Sequence, residues 1–310
     1  MKKLLSVLLV FVMLVGFTAC TKEEKLTHVF GITTMDNSNP FFVKILEVVQ
    51  EKVEANGDKL IIVDAAQDQQ KQNDGIAEMI EEGIDGIFLN PYDAGKVDPA
   101  LDALNAAGIP IVNFDTSVNS IDKVNVFIGT KNYDAGKLCG EDLVKRLANG
   151  GKILILDIAP AESTYSRISG FMSAIDGKGF EVIARKDAQG DRNIAKEITT
   201  KFLQENSDIV AIFGANDPMA LGANDALNEA NRKDILVYGV DGSPLFLTEM
   251  SKEGSIMTAT GVQSPKQMAE KTVQLMYDVL DGKALKERYY IDTYLISIDD
   301  VSKYDTSDWQ

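Results

Sequence analysis

The chain is poor in the residues that most catalysis and covalent stapling need. It has one histidine, His28, and two cysteines, Cys20 and Cys139. A lone histidine without a Cys/His cluster excludes the common zinc sites and the histidine-activated nucleophiles. Cys139, in "GKLCGED", has no accompanying histidine or cysteine and reads as a small helical core residue. Phosphate-loop signatures are missing too. There is no G-x-G-x-x-G, and in "GTKNYDAGK" the second glycine follows the first by seven residues instead of five. Basic runs are absent, and the formal net charge of −16 becomes −18 without Lys2 and Lys3. Nucleic acid and anionic lipid are poor partners for such a chain.

What is present begins with "MKKLLSVLLVFVMLVGFTAC": two lysines, an apolar run from Leu4 to Phe17, then small residues up to Cys20. This is the anatomy of a secretory signal peptide, and the run is short for a membrane span. Its end, Phe17-Thr18-Ala19-Cys20, resembles a bacterial lipobox, with Phe17 where leucine is usual. The resemblance implies that residues 1–19 are removed, that Cys20 carries the lipid, and that residues 20–26 form a tether. The membrane is then reached by the lipid anchor only, and Cys139 has no partner for an intrachain disulfide.

From Thr27 onward, short β-rich runs alternate with amphipathic stretches of helical length. Strands are expected at His28–Ile32, Leu60–Val63, Gly86–Leu89, Ile109–Phe114, Val126–Gly129, Lys152–Asp157, Phe180–Ala184, Ile209–Gly214, Ile235–Val240 and Met257–Gly261. Helices are expected at Pro40–Ala55, Gln69–Glu82, Lys96–Ala107, Ala135–Ala148, Ser166–Gly177, Asn193–Glu205, Pro218–Glu229 and Pro265–Leu280. Continuously apolar strands such as Ile-Leu-Ile-Leu suit burial on both faces, so the class is α/β with parallel sheet.

An internal echo divides the chain. "IFLN" ends at Asn90 and "IVNFD" at Asp115; "IFGAN" ends at Asn216 and "VYGVD" at Asp241, and both Asn-to-Asp spacings are 25. A repeated strand, helix and strand with matching ends predicts two similar lobes, each a parallel sheet flanked by helices. The division expected is 27–130 plus 264–291 for one lobe and 131–263 plus 292–310 for the other, with three crossings near Thr130, Gln263 and Asp292. In open parallel sheets, ligands bind beyond the carboxyl ends of the strands, where helix N-termini point donors. Asn39, Asn90, Asp115, Asn216, Asp241 and Gln263 all fall there. The loop "TTMDNSNPFF" adds an aromatic pair, Phe41 and Phe42. A flat apolar face ringed by amides and carboxylates suits a sugar, whose C–H faces are apolar and whose hydroxyls both donate and accept.

Taken in order, "NPFF", "FDTS", "YSRISGF", "GANDPMALGA", "GVDGSP" and "TGVQSPKQM" make the chain resemble the periplasmic binding proteins of the ribose and galactose type, over essentially the whole mature length. That family implies a two-lobed fold with a three-strand hinge, no enzymatic activity, no cofactor or metal, and a monomer that hands a sugar to an ABC permease. It implies that Asn39 bonds a hydroxyl, that Phe42 with Phe41 packs on a sugar face, and that Asp115 accepts from two adjacent hydroxyls. Arg167 would donate in a fork, with Asn216, Asp241 and Gln263 completing a polar ring. Two departures touch the ligand. Thr116, expected beside Asp115 among the ligand-binding residues, stands where the ribose receptor has an arginine, and Gly190 stands where the family usually places a second aromatic. Tyr165, Tyr92 or a less flat ligand, such as an acyclic polyol or a substituted sugar, are the open alternatives. Sugar-responsive repressors share the fold but need a DNA-binding headpiece where this chain has an export signal. A receptor serving a membrane sensor would share the binding chemistry. Trp309 reads as a packing peg for the tail.

Overall fold

The computed structural model describes residues 27–310, so the expected leader, Cys20 and tether lie outside the described residues. Strands β1 (Val29–Thr34), β2 (Lys59–Asp64), β3 (Gly86–Leu89), β4 (Ile111–Phe114) and β5 (Val126–Thr130) alternate with helices α1 (Pro40–Ala55), α2 (Gln69–Glu81) and α3 (Asp98–Ala106). After α4 (Asn132–Arg146) the pattern repeats with β6 (Gly151–Asp157), α5 (Glu162–Ile175), β7 (Phe180–Asp187), α6 (Arg192–Glu205), β8 (Ile209–Gly214), α7 (Asp217–Glu229), β9 (Leu236–Asp241), α8 (Pro244–Met250) and β10 (Met257–Val262). Helix α9 (Pro265–Leu280) and the short strands β11 (Arg288–Ile291) and β12 (Leu295–Ser297) follow.

The strands form two six-stranded sheets, ordered β11-β5-β4-β3-β1-β2 and β12-β10-β9-β8-β6-β7. The two orders superpose, so the lobes are alike in topology as well as composition. β12 runs antiparallel to β10, whereas β11 is parallel to β5. Strands β3, β4 and β5 are buried at every residue, which is why their sequences are apolar without alternation. Successive elements change sheet between β5 and α4, between β10 and α9, and between β11 and β12. Helix α9 packs on α1.

Helix starts follow from a repeated local signal, a capping side chain followed by proline. Asn39, Asn216, Ser243 and Ser264 each accept a backbone N–H of the first turn of α1, α7, α8 and α9, with proline at the first or second helical position. Where that signal is missing, the expected boundary shifts. Ala161 and Lys131, the residues before α5 and α4, have no capping side-chain bond, and both helices begin earlier than expected, at Glu162 and Asn132. Arg167 therefore sits in the second turn of α5, not at its head. β11, β12 and the seven-residue α8 were not expected; elements this short carry too few residues for a period to emerge.

Helices α4 and α5 approach unusually closely. A Cβ on Gly136 would lie 1.8 Å from the carbonyl oxygen of Arg167, and one on Gly170 would lie 1.9 Å from that of Tyr133. Cys139 lies on the same helix, buried as expected, with its thiol 3.3 Å from the carbonyl oxygen of Gly239, and burial pushes its pKa up. The glycines thus fix where α5 presents Arg167. Gly136→Ala should force the helices apart and cost about 1–3 kcal/mol or more. The expected readout is a lower urea midpoint with an unchanged m-value; an unaltered midpoint would count against this packing role.

Candidate ligand-binding cleft

The first lobe contributes three pieces. Asn39 caps α1 through Oδ1, which accepts from Phe41 N at 3.0 Å and leaves its Nδ2 available. Phe41 and Phe42, in the first turn of α1, are each 3% exposed and meet edge to face at 5.5 Å between ring centres. Asp115 follows β4 at φ +61°, a left-handed conformation that is uncommon for a non-glycine residue and clusters at functional sites. Its Oδ2 accepts from Asn90 Nδ2 at 3.2 Å and Thr116 Oγ1 at 3.1 Å, while Oδ1 has no partner among the described residues.

From the second lobe, Arg167 enters at 4% exposure. Its Nε donates to Asn132 Oδ1 at 2.8 Å, and Nη1 donates to the carbonyl of Ala215 at 2.8 Å and to Asp241 Oδ1 at 3.4 Å. Nη2 has no partner among the described residues. Asp241 ends β9 at φ +150° and also accepts from Gln263 Nε2 at 2.8 Å and Asp217 N at 3.3 Å. That bond to Asp241 orients the Gln263 amide, because only its nitrogen can donate to a carboxylate. The other end, Oε1, is buried and unpartnered. Asn216 caps α7 through Oδ1 at 3.0 Å and holds Nδ2 3.5 Å from the carbonyl of Gly190. Capping therefore occupies one end of this amide and leaves the other at the cleft.

Asn39, Phe41, Phe42, Asp115, Arg167, Asn216, Asp241 and Gln263 line one cavity between the lobes, with about 310 Å³ of empty space even with its mouth counted. Thr116 does not line it. Its hydroxyl donates its one proton to Asp115, so the 2.9 Å contact across the cleft has Ser163 as donor. Met35, Ile158, Ser163 and Thr164 also line the cavity and were missed. Ile158 follows β6 and so satisfies the strand-end rule that found the others; Ser163 stands one helical turn before Arg167 on α5. The wall that lacks an aromatic is aliphatic: a Cβ on Gly190 would lie 2.9 Å from Ile158 Cδ1. Tyr165 is 59% exposed against the Arg185 guanidinium, and neither it nor Tyr92 lines this space.

The cavity holds two carboxylates and one guanidinium, with Asp217 buried behind Asp241. Burial pushes the Asp115 carboxyl up, although Arg167 opposes it. Asp241 is raised to about 6, mainly by burial and against the pull of Arg167. Asp217, bonded by Ser243 N at 2.7 Å and Thr260 Oγ1 at 2.8 Å, is raised to about 7 by burial and by the neighbouring Asp241 charge.

Two alike α/β lobes whose strand ends meet around a buried polar cavity define a solute receptor, and the chain belongs to the periplasmic binding protein family, whose domain matches residues 30–284. Among its relatives, the ribose import binding protein RbsB of Bacillus subtilis (strain 168) is 31% identical over 299 residues, covering 93% of this chain and 96% of the relative. The crystal structure of an ABC transporter solute binding protein from Mycobacterium smegmatis with bound glycerol aligns with a TM-score of 0.85 at 29% identity, over 90% of this chain and 96% of that one. One from Bacillus halodurans with bound myo-inositol aligns at 0.84 and 26% identity, over 91% and 98%.

Raised carboxyl groups give a definite pH response. In the folded chain Asp241 and Asp217 hold protons that the unfolded chain, at 3.8, has already released. Their contribution to stability is complete below about pH 4 and is lost as pH climbs through about 6 and 7. Asp217→Asn fixes the neutral form. Relative to the parent protein, its melting temperature should rise between about pH 5.5 and about pH 8; a constant difference across that range would show that Asp217 stays ionised.

Proposed function

We propose that this chain is an extracytoplasmic receptor that binds a neutral monosaccharide or polyol between its lobes, closes on it and presents it to an ABC permease. The observation that carries this reading is the open hydrogen-bonding capacity of the cavity. Gln263 Oε1 and Asp115 Oδ1 need donors, while Arg167 Nη2 and Asn39 Nδ2 need acceptors. A hydroxyl supplies both from one atom. Phe41 and Phe42 offer ring faces to C–H surface, and the confined space between the lobes excludes a chain of rings. The names and bound molecules of the relatives, ribose, glycerol and myo-inositol, are all neutral polyhydroxy compounds, which supports the same class here.

Closure would move residues 27–130 with 264–291 against 131–263 with 292–310. It dries the cavity and so strengthens every polar contact in it. The ligand shifts the population only by preferring the closed form. In the same reading Cys20 becomes the lipidated N-terminus and residues 20–26 the tether.

A thermal-shift screen of pentoses, hexoses, polyols, nucleosides and amino acids, followed by small-angle scattering, tests this. The expected result is stabilisation by a sugar or polyol with a smaller radius of gyration. Stabilisation by an amino acid or nucleoside alone would overturn the ligand class, and an unchanged radius would overturn closure. For the best sugar, Arg167→Ala leaves a buried carboxylate uncompensated and should cost about 2–5 kcal/mol of binding. A loss smaller than about threefold by calorimetry would remove Arg167 from the site.

A further inference from the structure

A larger cavity adjoins the inner one, with about 930 Å³ of empty space when its mouth is counted too. The two share Asn39, Phe41 and Asp241, so they are compartments of one cleft. Their linings differ. The inner one is dominated by amides, carboxylates and Arg167, whereas the outer one adds Pro40, Pro218, Leu221, Pro244, Leu245 and Trp309 to polar groups such as Asp36, Asp191 and Arg192. Leu245 is 46% exposed there.

Trp309 is the only tryptophan and is placed by several contacts. Its ring meets Phe41 edge-on at 5.8 Å, its backbone N–H donates to Asp308 Oδ1 at 2.8 Å, and Asp308 pairs with Lys266 of α9 at 2.5 Å. Thr248 of α8 donates to the carbonyl of Thr306 at 3.1 Å. The tail thus lies across both lobes and sets an indole beside the same Phe41 that faces the inner cavity. Its side chain is half-buried, so part of the ring is left for a ligand.

We propose that the outer compartment is a second subsite, taking a ring-bearing substituent joined to the sugar in the inner cavity, with Trp309 as its wall. The preferred ligand is then a glycoside, meaning a disaccharide or a sugar carrying an apolar aglycone, and not the bare monosaccharide. This rests on the receptor reading above. A tethered ring adds stacking and apolar burial without a second loss of translational freedom, so the gain passes into affinity.

Calorimetry with D-ribose, D-allose, D-glucose and D-galactose, the phenyl glycosides of each, and the disaccharides cellobiose and lactose provides the test. For a sugar that binds, its phenyl glycoside or disaccharide should bind at least about tenfold more tightly. Trp309→Ala should abolish that gain and change the parent sugar by less than about threefold, and Trp309→Phe should restore most of it. A shift in Trp309 emission with the extended ligands, larger than with the parent sugar, gives an independent readout. Gain from the phenyl glycosides alone marks an aglycone subsite, and gain from the disaccharides marks a second sugar ring. Parent sugars that bind while every extended form is weaker would overturn the subsite and leave the receptor standing. Equal losses for both ligand types in Trp309→Ala, in a variant whose melting is unchanged, would also overturn it. Failure of all of these to bind, together with failure of every sugar and polyol in the thermal-shift screen, would overturn the receptor reading and the subsite together.

Discussion

The site is organised around one buried guanidinium. Taking a charge out of water is expensive unless it is paired and its hydrogen bonds are made. Arg167 meets that condition with Asn132, the Ala215 carbonyl and Asp241, contacts that tie α4, the end of β8 and the end of β9 to one side chain. The tight helix contact at Gly136 fixes where the arginine starts, and Gln263 holds the carboxylate it meets. Across the cleft the same positive charge acts on Asp115. Without the guanidinium, burial would favour the neutral form of both acids, and the cavity would lose its strongest acceptors.

Both carboxylates also sit on uncommon backbone for non-glycine residues, Asp115 at φ +61° and Asp241 at φ +150°. Such conformations persist when the surroundings over-determine them. Here Asn90 and Thr116 hold the first, and Gln263, Asp217 and Arg167 hold the second. The acceptors are therefore aimed before any ligand arrives, which reduces the ordering cost of binding.

Much of this was legible in the sequence because the site is built at strand ends, and strand ends are marked by helix signals. Asn39 and Asn216 each precede a proline-started helix, and Asp115 and Asp241 follow Asn90 and Asn216 at the same interval of 25 residues in the two halves. The lobes' common topology was readable from that echo. What was hidden lacked a marked helix start or lay between separate strands. Ile158 replaces an aromatic wall with an aliphatic one from a different strand, a substitution visible only when Gly190 and Ile158 are brought together. Thr116 looked like a ligand contact because it adjoins Asp115, yet its single hydroxyl proton is committed to that neighbour. Ser163 was missed because the start of α5 carries no capping side chain, which concealed its first turn.

The interleaving of the two sheets has a consequence for how the chain reaches its native state. The first sheet is completed only by β11, and the helix packed on α1 is α9, so the first lobe waits for residues up to Ile291. The second sheet is completed by β12 at Leu295–Ser297. A nascent chain emerging from its N-terminus can therefore finish neither body early, and domain-by-domain folding during synthesis is frustrated until nearly all of it is available. For a member of a periplasmic binding protein family, which works outside the cytoplasm, that delay is useful: topology alone helps to keep the chain threadable while it crosses a membrane.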